Sequence, residues 1–152
     1  MFGTRCAIVA LTMALAACDG LPTEQRQLST QQQAWASARP AAYTFRYRVS
    51  CFCRNGMVKY RVRVRDGRVV EAAQIEPLPS DAAFPAPIDG YLTVDSLFAT
   101  LAEAYERKAD RVDVTFDTRY HFPTRIQIDW LRDAIDDEVT IDADGFVVND
   151  AR

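Results

Sequence analysis

The sequence predicts an α+β domain: one twisted antiparallel sheet of about seven strands with helices packed on one face, in the order helix, three strands, helix, four strands. Three observations predict it. Apolar residues alternate with polar ones over 43–53, 57–64, 112–116 and 126–130, the period of a strand with one wet face. Apolar residues recur at three and four between Val94 and Tyr105, as on the buried stripe of a helix. Asn55-Gly56, Asp66-Gly67 and Asp144-Gly145 punctuate the alternating runs, which suits short antiparallel connections.

The elements follow in order. Residues 18–29 are polar and without period, as in a tether, and Ser29-Thr30-Gln31-Gln32 reads as a capping box for a helix to about Ala38. Leu28 and Trp35 are its apolar anchors and Pro40 stops it. The first strand puts Tyr43, Phe45, Tyr47, Val49, Cys51 and Cys53 on one face, so both sulfurs are expected to face the core. A two-residue turn at Asn55-Gly56 sets a register in which Cys53 faces Val58, Cys51 faces Tyr60, Val49 faces Val62 and Tyr47 faces Val64. Asp66-Gly67 turns into a weaker strand over 68–75, interrupted by Glu71, and 77–87 holds four prolines and reads as an extended loop. Thr93 caps the main helix, with Asp95 at the positive end of its dipole and Val94, Leu97, Phe98, Leu101, Ala104 and Tyr105 along its stripe. Val112, Val114 and Phe116, then Ile126, Ile128 and Trp130, mark two further half-buried strands. A final hairpin, 138–142 and 146–149, is turned by Asp144-Gly145.

The N-terminus carries an address. Met1 to Arg5 is followed by an apolar stretch from Cys6 to Ala17, too short to span a bilayer, which needs about 20 residues. The Leu15-Ala16-Ala17-Cys18 run resembles the lipobox of bacterial lipoproteins, in which the cysteine is acylated and becomes the new N-terminus. That resemblance implies a signal peptide over 1–17, a lipidated tether over 18–29 and a single domain over 30–152. The protein would then lie in the bacterial cell envelope, attached to the membrane through lipidated Cys18. Asp19 resembles an inner-membrane retention signal and favours the periplasmic face of that membrane. Ordinary cleavage, leaving Cys18 as a free thiol, is the alternative.

Cys51 and Cys53 then remain in an oxidising compartment. A disulfide is the favoured reading, although two residues of extended strand advance about 6.6 Å, so closure needs a bend or bulge. Two buried thiols, a redox pair and a soft-metal site are the alternatives. Zinc normally takes four ligands and His121 is the only histidine, so no metal or cofactor is assigned.

Arg46, Arg48, Lys59, Arg61, Arg63 and Arg65 share the outward parity of the first hairpin, where the expected register sets Arg48 opposite Arg63 and Arg46 opposite Arg65. Residues 69–152 hold eighteen acidic side chains against seven basic ones, so acids of the same chain are the first expected partner. Anionic lipid, or an envelope protein or polymer, is the second. Nucleic acid is not an expected partner of an exported chain with net charge −3. The carboxylates Asp129, Asp133, Asp136, Asp137 and Glu138 depart from the EF-hand spacing and read as a solvated turn, with a calcium site and an acid–base site as the alternatives.

Several motifs, Tyr43-x-Phe45, Cys51-x-Cys53, Val64-Arg65-Asp66-Gly67-x-Val69, Thr93-Val94-Asp95-x-Leu97-Phe98 and Phe122-Pro123-x-x-Ile126-x-Ile128-Asp129 with Asp137-Glu138, run through the chain after position 42. Together they resemble a family of small bacterial lipoproteins carrying a domain of unknown function. In that family glycine usually precedes the aromatic-proline pair, where this chain has His121; if the site needs a positive φ, histidine adopts it more readily than most residues, at some cost. The resemblance implies fold and location and brings no activity. The resulting expectation is a non-enzymatic binding or structural module. A thiol or soft-metal handling protein using Cys51 and Cys53, and an enzyme using Asp129 to Glu138, are the alternatives.

Overall fold

The computed structural model describes residues 23–53, 56–76 and 86–150. Cys18, Asp19, Asn55 and most of the proline-rich loop lie outside the described residues. Two helices, α1 (Thr23–Ala38) and α2 (Val94–Glu106), accompany one open antiparallel sheet of six strands: β1 (Ala42–Ser50), β2 (Lys59–Arg65), β3 (Arg68–Gln74), β4 (Arg111–Phe116), β5 (Pro123–Asp129) and β6 (Val139–Val148). Their order across the sheet is β3-β2-β1-β6-β5-β4, so two three-stranded meanders are joined where the first strand meets the last.

The expected strand count was seven, and the difference lies at Asp144-Gly145. That pair makes a bulge inside a single long β6, not a turn. Tyr43 pairs with Val148 and Thr44 with Val147, but Arg46 pairs with Asp144 and Tyr47 with Ala143, so one extra β6 residue is absorbed between them. Gly145 supplies the positive φ of 61°. The inward parity of β6 changes there, from Ile141 and Ala143 to Phe146, which is why the alternation breaks as it would at a hairpin.

Two other expectations are corrected. The first helix begins at Thr23, not at the Ser29 capping box: residues 24–28 are helix-compatible, and Leu28 and Trp35, seven residues apart, bury one stripe through both halves. The supposed 18–29 tether is therefore helical from Thr23. The β1–β2 register is also displaced by four residues, with Tyr47 opposite Tyr60, Phe45 opposite Val62 and Tyr43 opposite Val64. Parity survives because the slip is even, and every core position still meets a core position. The slip arises because β1 stops at Ser50: Met57 N–H donates to the Val49 carbonyl at 2.8 Å, closing a wider loop than a two-residue turn.

Both helices cover the same face. Leu28 and Trp35 of α1 and Val94, Leu97, Phe98, Leu101 and Ala104 of α2 share one buried cluster with Tyr43, Phe45, Val62, Val64, Ile126 and Ile128. Trp35 is the centre of an aromatic cluster, edge-on to Tyr43, Phe122 and Phe146 at 5.5, 6.3 and 5.9 Å. Its indole N–H donates to Asp95 Oδ1 at 3.0 Å, and Arg39 reaches Asp95 Oδ2 at 3.0 Å, tying the end of α1 to the first turn of α2.

The start of α2 is capped from two directions. Thr93 and Ser96 form a reciprocal capping box. From the sheet, the Tyr43 hydroxyl accepts Val94 N–H at 3.2 Å and the Tyr47 hydroxyl accepts Leu92 N–H at 3.3 Å. Desolvation outweighs these hydrogen bonds and pushes both phenols up to about 12 from their ordinary 10.0. A phenol that holds its proton more tightly when folded contributes stability that is present below pH 10 and lost as pH rises from 10 through 12. The urea midpoint should therefore hold steady up to pH 10 and fall above it, and the fall should shrink in Tyr43→Phe/Tyr47→Phe, which itself loses roughly 1 kcal/mol per hydrogen bond. An unchanged alkaline slope in that variant would contradict the assignment.

Candidate functional site

The face of the sheet opposite the helices carries the chain's densest set of charges, and the strand register arranges them in rows. One row reads Arg61, Arg46, Asp144 across β2, β1 and β6; the next reads Lys59, Arg48, Asp142, Arg125 across β2, β1, β6 and β5. Like charges do face one another across β1–β2, but Arg46 meets Arg61, Arg48 meets Lys59 and Arg63 meets Thr44. This corrects the Arg48–Arg63 and Arg46–Arg65 pairing.

The repulsion is offset by carboxylates from the acidic part of the chain. Asp144 receives Arg46 Nε at 2.5 Å and Lys59 Nζ at 3.0 Å. Glu76, just past β3, pairs with Arg48 and lies 3.7 Å from Lys59. Glu71 pairs with Arg63 at 2.9 Å, and Asp142 with Arg125 at 3.0 Å. Glu71, which interrupts the apolar pattern of β3, thus has an ionic role. Partial burial alone would raise the Asp144 carboxyl, but the hydrogen bonds and charges of Lys59 and Arg46 outweigh it and hold it below its ordinary value.

Cations outnumber the acids that meet them. Arg46, Arg48, Lys59, Arg63 and Arg125 share Glu71, Glu76, Asp142 and Asp144, and among the described residues Arg61 has no carboxylate within ion-pair distance. The buried Nε atoms of Arg48 and Arg63 donate to nothing among the described residues. On the same face a hollow of about 440 Å³ is lined by Arg48, Lys59, Thr124, Arg125, Asp142 and Asp144. Asp144, which lines it, belongs to the β6 bulge, where a Cβ at position 145 would stand 2.5 Å from Arg46 Nε. Arg125, Asp142 and Asp144 were not singled out from the sequence. The signal for them was the outward parity of Asp142 and Asp144, hidden by treating Asp144-Gly145 as a turn.

The cysteine pair lies elsewhere and not in the core. Cys51 and Cys53 follow the end of β1, Cys51 half-buried and Cys53 exposed, because the chain bends there and strand parity no longer applies. The bend brings their Cα atoms to 5.2 Å with the sulfurs within bonding distance. The loop they close carries exposed Phe52, beside an aromatic hollow of about 210 Å³ lined by Tyr47, Val49, Cys53, Tyr60 and Tyr91. His121 is at the opposite end of the sheet, in the β4–β5 turn, with Nδ1 3.0 Å from Gln31 Oε1. Its φ is 65°, in the left-handed region that glycine adopts most easily.

The carboxylates after β5 are divided between tasks. Asp137 Oδ2 accepts Leu131 N–H at 2.8 Å, and Asp136 sits at φ 67° in the turn. Asp129 and Glu138 line a hollow of about 250 Å³ with Arg111, Asp113 and Thr140. Desolvation, then the charges of Asp137, Asp110 and Glu138, raise the Asp129 carboxyl above its ordinary value. Among the described residues no three His, Cys, Asp or Glu side chains converge as a metal site would require.

A family model described as "Family of unknown function (DUF6174)" matches residues 27–148, from the second turn of α1 to the last residue of β6. No curated protein and no solved structure matches the chain.

Proposed function

Because the chain belongs to the family of unknown function DUF6174, we propose its role from its own geometry: a lipid-anchored, non-enzymatic module of the bacterial envelope that holds an anionic group in the hollow on the open face of its sheet. The observation that carries this reading is the convergence of Arg48, Lys59 and Arg125 on one hollow, with the buried Nε donor of Arg48 unmatched among the described residues. Arginine forks suit phosphate and carboxylate oxygens, which supply the matching lone pairs. Arg48, Lys59 and Arg125 are the contacting residues, and Asp142 and Asp144 hold them extended. The anion would belong to a lipid headgroup, an envelope polymer or a protein partner.

Anchoring is supported by the short apolar segment ending in Leu15-Ala16-Ala17-Cys18, and Asp19 favours the inner membrane. Cys18→Ala should move the protein from the membrane pellet to the soluble envelope fraction and abolish labelling by a fatty-acid analogue. Equal labelling of the mutant would remove the anchor. The hollow is tested separately on the unlipidated domain: salt-sensitive binding to phosphate-bearing vesicles should fall at least tenfold in Arg125→Glu. Binding that is absent in the unaltered domain would remove the anion site and leave the anchor standing.

A second reading is favoured by the exposure of Cys53, since disulfide exchange needs a sulfur that another thiolate can reach. Transfer of the Cys51–Cys53 bond to an envelope dithiol would leave two thiols here and a disulfide on the partner. Mass analysis after thiol blocking of the native envelope form decides it: a stable mixture of oxidised and reduced protein supports exchange, and a fully oxidised population assigns the pair to bracing the loop.

A further inference from the structure

The four most exposed large apolar side chains among the described residues are Ile135 at 88%, Phe52 at 85%, Leu131 at 66% and Met57 at 59%. Strand pairing gathers all four at one end of the sheet. Ser50 pairs with Thr140 and Thr140 with Gln127, so the β1–β2 loop, with Phe52 and Met57, leaves the same end as the β5–β6 loop, with Leu131 and Ile135. The two loops start two strand spacings apart, about 10 Å. Apolar groups clustered this way on a monomer's surface mark a place where something apolar is met.

The chain outside the described residues says what is met. Trp35 and Arg39, at the end of α1, hold Asp95 in the first turn of α2, and at the other end of the pair the charge of Glu24, in the first turn of α1, adds to desolvation in raising the Tyr105 phenol. Tyr105 is in the last turn of α2, and Arg107 beyond it lies over the Trp130 ring at 4.3 Å, where β5 gives way to the Leu131 loop. Cys18 is only five residues before Thr23, a contour of at most about 18 Å. An acyl anchor on so short a lead keeps this side of the domain against the bilayer.

We propose that this end of the sheet is a membrane-docking surface, with Phe52, Leu131 and Ile135 entering the interfacial layer of the bilayer. The proposal rests on the anchoring reading and deepens it. Asp133, Asp136 and Glu138 flank Ile135, so the attraction is apolar and gains nothing from anionic lipid, unlike the binding expected of the basic face. The two surfaces thus answer differently to lipid charge.

The test uses the chain from Cys18 onward, which contains every described residue, coupled through the Cys18 thiol to a maleimide lipid in phosphatidylcholine vesicles with brominated acyl chains. Keeping Cys51 and Cys53 oxidised confines coupling to Cys18. In a Trp130→Phe background, Ile135→Trp or Phe52→Trp is compared with Arg119→Trp, which lies in the β4–β5 turn at the other end. Trp35, buried, is a constant background. The Ile135→Trp and Phe52→Trp signals should fall at least twofold relative to unbrominated vesicles while Arg119→Trp is unaffected, and phosphatidylglycerol should not deepen the quenching. Equal, unquenched signals at both ends would overturn the docking surface. Failure of the anchoring reading has a different signature, an envelope form whose intact mass shows no acyl chain on Cys18, and it would remove the docking with it.

Discussion

Trp35→Ala is expected to lower the stability of the domain by about 3–5 kcal/mol, the range for deleting a large buried aromatic side chain. Trp35 is 1% exposed, packs against three aromatic rings and holds Asp95 through its indole N–H. Its loss opens a cavity between α1 and the sheet and removes the indole hydrogen bond to Asp95, leaving Arg39 to hold that carboxylate. Domains of this size are stable by only about 5–15 kcal/mol, so a large share of the total would go. Urea unfolding followed by far-UV circular dichroism checks it. Trp35→Phe, which keeps most of the packing and loses the hydrogen bond, should cost far less. A loss under about 1 kcal/mol for Trp35→Ala would mean that α1 is a peripheral addition and not the lid of the core.

Gly145→Val should be the most damaging single change on the open face. A β-branched residue at φ 61° is strained by itself, about 1–2 kcal/mol for the left-handed region. The new Cβ would also stand 2.5 Å from Arg46 Nε and 2.9 Å from its Cζ. Arg46 must swing away, releasing Asp144, and Lys59 then loses the ordered carboxylate that fixes it. The expected result is a domain destabilised by about 2–3 kcal/mol in all, mostly from strain and less from the half-exposed ion pairs, with the hollow disordered and the aromatic cluster around Trp35 intact. Near-ultraviolet circular dichroism, which reports the aromatic side, should be preserved below the new midpoint. Loss of that signal would place the bulge in the core and not on the binding face.

These two positions show what was and was not legible in the sequence. Trp35 and the period-two strands were readable because burial imposes spacing: an even alternation fixes which face each side chain takes, whatever the register. For the same reason an error of four residues in the β1–β2 register left every inward residue inward. It changed only the charge partners, which the sequence had no local means to choose. Gly145 was misread because a bulge and a hairpin use the same chemistry, a small residue at positive φ beside an Asp, and only pairing with β1 tells them apart. The six cations of the first hairpin were visible as one outward stripe. The residues that turn the stripe into a hollow, Arg125, Asp142 and Asp144, come from β5 and β6, about 80–100 positions away, and are brought there by the junction of β1 with β6. The cysteine pair was placed in the core by extending strand parity past Ser50, where the backbone had already bent.

The most direct test of the open-face site is a titration of the isotope-labelled domain with inorganic phosphate, following arginine Nε–H and backbone amide signals by nuclear magnetic resonance. Saturable shifts should concentrate on Arg48, Arg125, Thr124 and the β6 residues 142–144, and they should vanish in Arg125→Glu while the fold is retained. Shifts that never saturate, that spread evenly over the surface, or that persist unchanged in Arg125→Glu would contradict anion recognition in this hollow.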